Sequence, residues 1–309
     1  MAEIMVTGGA GFIGSHLCEQ LLNAGHDVRI LDNFSRYYSG KEKNIENCLS
    51  KKNCELFRGD ILKTESVLKC ARGCSTIFHL AAQPGVRYSL DHPAEVNEIN
   101  ALGTLNVLEA ARECDVERMV NASSSSVYGN VKTLPMREEQ DTNPISPYGV
   151  SKIVAEHYCR FYARTYGMGV CSLRYFTVYG PRQRPDMAIR KFIWQIKRAE
   201  KPIVFGDGTQ TRDFTYVSDI VEGTVLASKK RFSGDAFNIG GGSNISVNDL
   251  LGVIMDALGK KAGIEYLPPS KGDVAETLAD ITKAQKGLGY SPMVNIGSGI
   301  KKMVDWMSG

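Results

Sequence analysis

Tyr148 and Lys152 stand four residues apart in SPYGVSK (146–152), directly after a proline. Positions i and i+4 of a helix lie one above the other on one face, so this spacing predicts a phenol beside an ammonium. A free tyrosine, with a pKa of about 10, is a poor base at neutral pH. A cation held close by favours the phenolate and lowers that value. The pair therefore reads as a general base with an electrostatic helper, and the same lysine has the reach to hydrogen-bond a ribose. A YxxxK spacing alone fits a half-buried tyrosine beside a solvated lysine just as well. What selects the chemical reading is ASSSSVYG (122–129), a hydroxyl-rich run that follows a strand pattern. Its hydroxyls then sit at the carboxyl end of a parallel sheet, where α/β folds bind ligands. Ser124 is placed to donate to a substrate oxygen that Tyr148 deprotonates.

A second group of residues has the chemistry of phosphate binding. IMVTGGAGFIGSHL (4–17) reads as a strand, a glycine turn and a helix start, with Gly8, Gly11 and Gly14 spaced GxxGxxG. Glycines there let the backbone turn tightly and approach a pyrophosphate seated on the positive end of the helix. Asp32 ends the next strand pattern, where a carboxylate hydrogen-bonds the adenosine ribose and repels a 2′-phosphate. The combination predicts NAD rather than NADP. Arg36 is a counter-signal, since an arginine accepts that phosphate.

The elements that must position these groups follow from periodicity. Short apolar runs at 4–8, 27–32, 54–60, 76–82, 118–124 and 170–180 alternate with helical patterns such as 14–25 and 103–113. That alternation predicts an α/β fold, a Rossmann-type doubly wound parallel sheet covered on both faces. A further run at 235–241 returns to the same sheet. From about residue 180 the prolines at 181, 185, 202, 268, 269 and 292 interrupt the pattern. The reading is a dinucleotide domain over 1–176, completed by the strand near 235–241, and a smaller C-terminal α/β substrate domain over 177–309.

Composition excludes other classes. The hydrophobic fraction of 43% and charged fraction of 23% are ordinary for a soluble globular chain. A net charge of +3 argues for neither nucleic acid nor a membrane surface as partner. There is no apolar run of spanning length and no basic-then-apolar leader, so the chain is expected in the cytoplasm. The eight cysteines are scattered without a CxxC and read as reduced thiols, and no metal site is expected.

TGGAGFIG, Asp60-Ile61, HLAAQ (79–83), SSSSVYG and YGVSK together resemble the extended short-chain dehydrogenase/reductase family, as do TRDFTYVSDIV (211–221) and ADITKA (279–284). The resemblance covers nearly the whole chain. It implies an NAD-binding Rossmann domain and a nucleotide-sugar domain, with Ser124, Tyr148 and Lys152 as the catalytic trio. By the same motifs Ser125 and Ser126 fall near the sugar. Gly8, Gly11, Phe12, Ile13, Asp32, Asn33, Asp60, Ile61, Leu80, Ala81, Ala82 and Gln83 fall along the cofactor, and Asn100 and Tyr175 near its nicotinamide half. It also implies a homodimer built from helices near 94–113 and 148–166.

Members of the family oxidise C4 of a nucleotide sugar and then diverge. A 4,6-dehydratase carries an Asp-Glu pair where this chain has Ser125 and Ser126, and neither serine is an acid at neutral pH. A 3,5-epimerase/reductase would need a cysteine and a lysine near the sugar, and no such motif is present. A UDP-sugar 4-epimerase remains, with a UDP-glucuronate decarboxylase behind it and an idle NAD-binding scaffold as the non-enzymatic alternative. In a 4-epimerase the C4 hydride passes to tightly bound NAD, leaves a 4-keto sugar and returns to its opposite face. Arg212 in TRDF matches the arginine that grips the diphosphate, and its fork suits phosphate. Asp273 matches a residue near the nucleoside ribose. UDP-galactose 4-epimerases carry an arginine three residues earlier, where this chain has Ser270, with Lys271 the nearest cation. The loop FTVYGPRQRPDMA (176–188) has Thr177 where the UDP-galactose pattern has Asn. It is similar instead to UDP-glucuronate 4-epimerases, which places Thr177 and Arg184 by a C6 carboxylate. The expectation is UDP-glucuronate/UDP-galacturonate first and UDP-glucose/UDP-galactose second.

Overall fold

The computed structural model describes residues 3–270, 272 and 274–308. Asp273 and Lys271 lie outside the described residues. The central sheet has seven strands: β1 (Glu3–Thr7), β2 (Asp27–Asp32), β3 (Cys54–Arg58), β4 (Thr76–His79), β5 (Arg118–Ser124), β6 (Gly169–Tyr175) and β7 (Ser233–Ile239). All are parallel, in the order β7-β6-β5-β4-β1-β2-β3. This is the doubly wound arrangement the sequence predicts.

Both faces are buried, and the period of two sorts the side chains between them. Ile4, Val6, Val28, Ile30, Phe78 and Val120 enter one core, while Met5, Leu31, Ile77 and Met119 enter the other. The chain order reverses between β1 and β4, which opens a crevice at their carboxyl ends. There the Thr7 hydroxyl accepts from the Ala81 N–H at 3.1 Å and meets His79 Nδ1 at 2.7 Å, so the two strand ends are locked together.

The apolar run at 170–180 is not one strand. After Tyr175 the chain leaves the sheet, and Thr177–Tyr179 pairs with Phe214–Tyr216 in a separate parallel pair. Periodicity cannot separate these because both pieces are buried and apolar. Asp213, fully buried, ties this region together. Its carboxylate accepts from the N–H groups of Gly241 at 2.7 Å and of Gly242 and Ala279 at 3.1 Å, and from the Thr215 hydroxyl at 3.1 Å. Its own carbonyl takes the Thr177 N–H at 3.0 Å.

Candidate active site

One elongated cavity runs along the carboxyl ends of the sheet. Gly8, Gly11, Phe12, Ile13, Asp32, Asn33, Asp60, Ile61, Leu80, Ala81, Ala82 and Gln83 line it, and so do Tyr148, Lys152, Tyr175 and Arg184. The glycine loop is the tightest part. Gly8 has φ +67°, and a Cβ on it would lie 2.7 Å from the Ala81 nitrogen; a Cβ on Gly14 would lie 2.2 Å from the Gly8 carbonyl oxygen. No side chain caps the helix Phe12–Asn23, and its first turn holds no acid. Its amino end therefore offers free N–H groups and a positive dipole to an anion. These features fit a dinucleotide pyrophosphate.

Asp32 does more than face a ribose. Its Oδ2 accepts from the Ala10 N–H at 3.0 Å and its Oδ1 from the Phe34 N–H at 2.8 Å, which anchors the glycine loop. Burial raises its carboxyl above the usual range, opposed by the Phe34 N–H and the Lys41 ammonium. That lysine is the cation of this corner. Arg36 is exposed and does not line the cavity, whereas Lys41 is buried there, bonded to the Ser35 carbonyl at 2.9 Å. Asn33 donates to Asp60 at 2.9 Å, which links the ends of β2 and β3.

The helix Pro147–Tyr166 is started by Ser146, whose hydroxyl accepts from the Gly149 N–H, with Pro147 at its first position. This fixes the rotation of its first turn, and Tyr148 and Lys152 both reach the cavity. Lys152 donates to the Ala122 carbonyl at 2.9 Å, and its Nζ lies 5.9 Å from the Tyr148 ring centroid. Burial pulls the Lys152 ammonium down to about 8. The expected lowering of Tyr148 is reversed: burial raises the phenol above its ordinary value. The groups that oppose this are the Ser124 hydroxyl, bonded to it, and the Arg184 guanidinium. Lys152 is turned toward a carbonyl of β5, and the charge nearest the phenol in effect is that of Arg184.

Ser124 ends β5, and its Oγ accepts from the Ser126 N–H at 3.1 Å within the turn Ser125–Val127. Ser124 touches Tyr148, but the serine of this run that lines the cavity is Ser123; Ser124, Ser125 and Ser126 are not on its wall. Asn100 also stands behind the wall. It occupies a widened π turn, Glu98–Leu102, and bonds the Gln83 N–H (2.8 Å), the Gln83 carbonyl (3.1 Å) and the Ser151 hydroxyl (3.0 Å). Its geometry is that of a brace between the β4 loop and the Tyr148 helix. Tyr175 lines the cavity and bonds Thr224 at 2.7 Å. Thr177 is half-buried and not on the cavity wall. Arg212 lines a second cavity with Phe205, Gln210, Tyr266 and Glu276, and donates to the carbonyls of Thr211 and Ala275.

Beneath the trio lies a buried ion pair that the sequence did not announce. Arg174 Nε and Nη2 reach Glu156 at 2.9 and 2.8 Å, and both side chains are almost wholly enclosed. The Ser123 hydroxyl donates to the same carboxylate at 2.5 Å, and Arg174 Nη1 to the Tyr128 hydroxyl at 2.9 Å. Glu156 is one turn beyond Lys152, and Ser123 adjoins Ser124. Tyr37, Tyr38 and Lys41 were also missed. The adjacent tyrosines after Asp32 were the available signal, but a loop carries no period.

Among the described residues no group of three or more His, Cys, Asp or Glu is arranged to hold a metal ion, and no helix is long and apolar enough to cross a membrane. The family described as GDP-mannose 4,6 dehydratase matches residues 5–303. The chain is 42% identical to the uncharacterized UDP-glucose epimerase YtcB of Bacillus subtilis, over 99% of this chain and 98% of that one. The structure of the Bacillus cereus UDP-glucuronic acid 4-epimerase with UDP-glucuronic acid and NAD superposes with a TM-score of 0.93 at 39% identity, covering 99% of both chains. The Thermotoga maritima UDP-glucose 4-epimerase with UDP-glucose gives 0.93 at 37%, covering 99% of this chain and 98% of that one. With motifs, fold and whole-chain similarity in agreement, the chain belongs to the GDP-mannose 4,6 dehydratase family of extended short-chain dehydrogenase/reductases.

Proposed function

We propose that the protein is an NAD-dependent UDP-hexose 4-epimerase acting first on UDP-glucuronate/UDP-galacturonate. The observation that carries this reading is one cavity lined by the glycine loop, Tyr148, Lys152 and Arg184, with the Ser124 hydroxyl bonded to Tyr148. Residues 1–176 with β7 form its cofactor domain, and 177–309 its nucleotide-sugar domain. The division is supported by the chain leaving the sheet after Tyr175.

When bound, NAD supplies the acceptor and donor for the C4 hydrogen. The protein does the rest. Tyr148 takes the proton of the 4-hydroxyl and later returns it to the keto oxygen. Ser124 donates to that oxygen and, with Arg184, favours the phenolate against the burial that raises it, while Lys152 is held on the Ala122 carbonyl with the reach to bond the cofactor ribose. Arg184 contacts the C6 group. Arg212 and Asp273 hold the diphosphate and ribose while the sugar turns over.

UDP-glucose/UDP-galactose is the second reading, favoured by one observation: the Arg184 fork is already engaged by Asp186. We also propose a homodimer through the helices near 94–113 and 148–166, supported by exposed Leu102, Val150 and Phe161. Eight free cysteines suit a reducing compartment, the cytoplasm.

Proton NMR of the purified protein with UDP-glucuronate and with UDP-glucose, without and then with added NAD, tests the reading. New axial 4-hydroxyl signals from UDP-glucuronate are expected. A pentose product with released CO₂ would make the protein a decarboxylase, and no conversion of either sugar would refute epimerisation.

A further inference from the structure

The loop after Thr177–Tyr179 holds a charge arrangement that the function above leaves unexplained. Arg184 Nε reaches Asp186 Oδ1 at 3.0 Å, and Nη2 reaches Oδ2 at 2.9 Å. This is the fork geometry in which a guanidinium receives a carboxylate. The Met187 N–H returns to the Arg184 carbonyl at 3.3 Å, so a tight turn fixes the acid relative to the base. Tyr37 closes the arrangement. Its hydroxyl lies 3.5 Å from Asp186 Oδ2, and its ring centroid 5.8 Å from the guanidinium carbon. Tyr37 is itself seated edge-on against Tyr88 at 5.2 Å, and a Cβ at Gly85 would come within 2.8 Å of its hydroxyl. Arg184 and Tyr37 line the cavity; the Asp186 side chain, 40% exposed, stands outside it.

A carboxylate already on the fork changes what the fork recognises. The pair is neutral as a unit, and among the described residues only Nη1 is left without a protein partner. An arriving C6 carboxylate meets charge attraction from Arg184 and charge repulsion from Asp186, whereas a neutral hydroxymethyl group has only hydrogen bonds to offer either.

We propose that Asp186 is a specificity-determining residue for the C6 group: by pairing Arg184 it flattens the discrimination between a carboxylate and a hydroxymethyl. The proposal rests on the reading of Arg184 as the C6 contact.

The test is calorimetric titration of the NAD-loaded protein with UDP-glucuronate and with UDP-glucose, for the native chain and for Asp186→Asn. Removing the like charge is expected to raise the ratio of uronate to hexose affinity about tenfold. A merely structural role would weaken both sugars together and leave the ratio in place. Asp186→Ser is the second variant, and a thermal melt certifies that each is folded. A folded variant whose ratio stays within about twofold, or falls, overturns the proposal. If the native chain binds both sugars and the ratio is unmoved, Asp186 alone is misread. If the native chain binds neither, the UDP-sugar reading fails and the role of Asp186 fails with it.

Discussion

Glu156→Gln is the perturbation with the clearest expected size. The Glu156 carboxylate holds the guanidinium of Arg174 through two bonds and the Ser123 hydroxyl through a third, with both ionic side chains enclosed. Removing one partner of a buried ion pair strands the other charge and costs about 3–5 kcal/mol. Unfolding entropy of ~2.1 cal/mol/K per residue over 309 residues is about 0.65 kcal/mol/K, so the melting midpoint should fall by about 5–8 °C. Differential scanning calorimetry reads this directly. The double variant with Arg174→Met should recover much of the loss, because no unpaired charge remains. The variant has a second readout in the site. Glu156 is among the groups that raise Lys152 against the burial that lowers it to about 8. Without it the ammonium loses its proton at lower pH, and the alkaline limb of turnover should move down. A midpoint within about 1.5 °C of the native chain, with an unmoved alkaline limb, would refute the account of this network.

Other expectations follow from the same geometry. Tyr148→Phe should cut epimerisation by about 10²–10⁴ while NAD binding survives, since proton transfer by a positioned group is worth that much; turnover in the NMR assay near the native rate would sink the mechanism. Gly8→Ala should weaken NAD at least tenfold by titration, because the new methyl meets Ala81 backbone at a positive φ, whereas Gly25→Ala, open on all sides, strains only the backbone and should leave NAD alone. Lys152 is protonated in the unfolded chain up to a pKa of about 10.4 and in the fold only to about 8, so the unfolded state binds more protons between these values. Native stability relative to Lys152→Met should therefore rise by about 3 kcal/mol from pH 7 to 10.5, measured by urea titration, and a flat difference would contradict the burial of the charge.

How much of this was legible in the sequence depended on period and spacing. The glycine turn, Asp32 and the i, i+4 placement of Tyr148 and Lys152 are local patterns with one backbone solution, and they emerged together on one cavity. The strand at 233–239 was read two residues late, within the fraying of any apolar run. The direction of the Tyr148 shift was not legible, because desolvation depends on everything that packs around the phenol. Asn100 was expected near the nicotinamide half, and the motif could not say that a π turn rotates it to brace Gln83 and Ser151. Tyr37 acts from a loop, and Lys41 from the first residue of the helix that follows it, both positioned by what that segment packs on. Arg174 meets Glu156 only because β6 runs behind the Tyr148 helix.

Asp213 bears on the order in which a growing chain becomes complete. Its donors lie 28 residues away at Gly241 and 66 away at Ala279. A ribosome that has just released Asp213 has delivered a carboxylate whose donors are still to come, and the set is not complete until the amide of Ala279 has emerged. The strands of the central sheet, through β7, are all synthesised before that moment. The region around Asp213 is therefore completed only after every strand of the sheet has been synthesised, and a chain truncated before Ala279 would leave this buried acid one donor short.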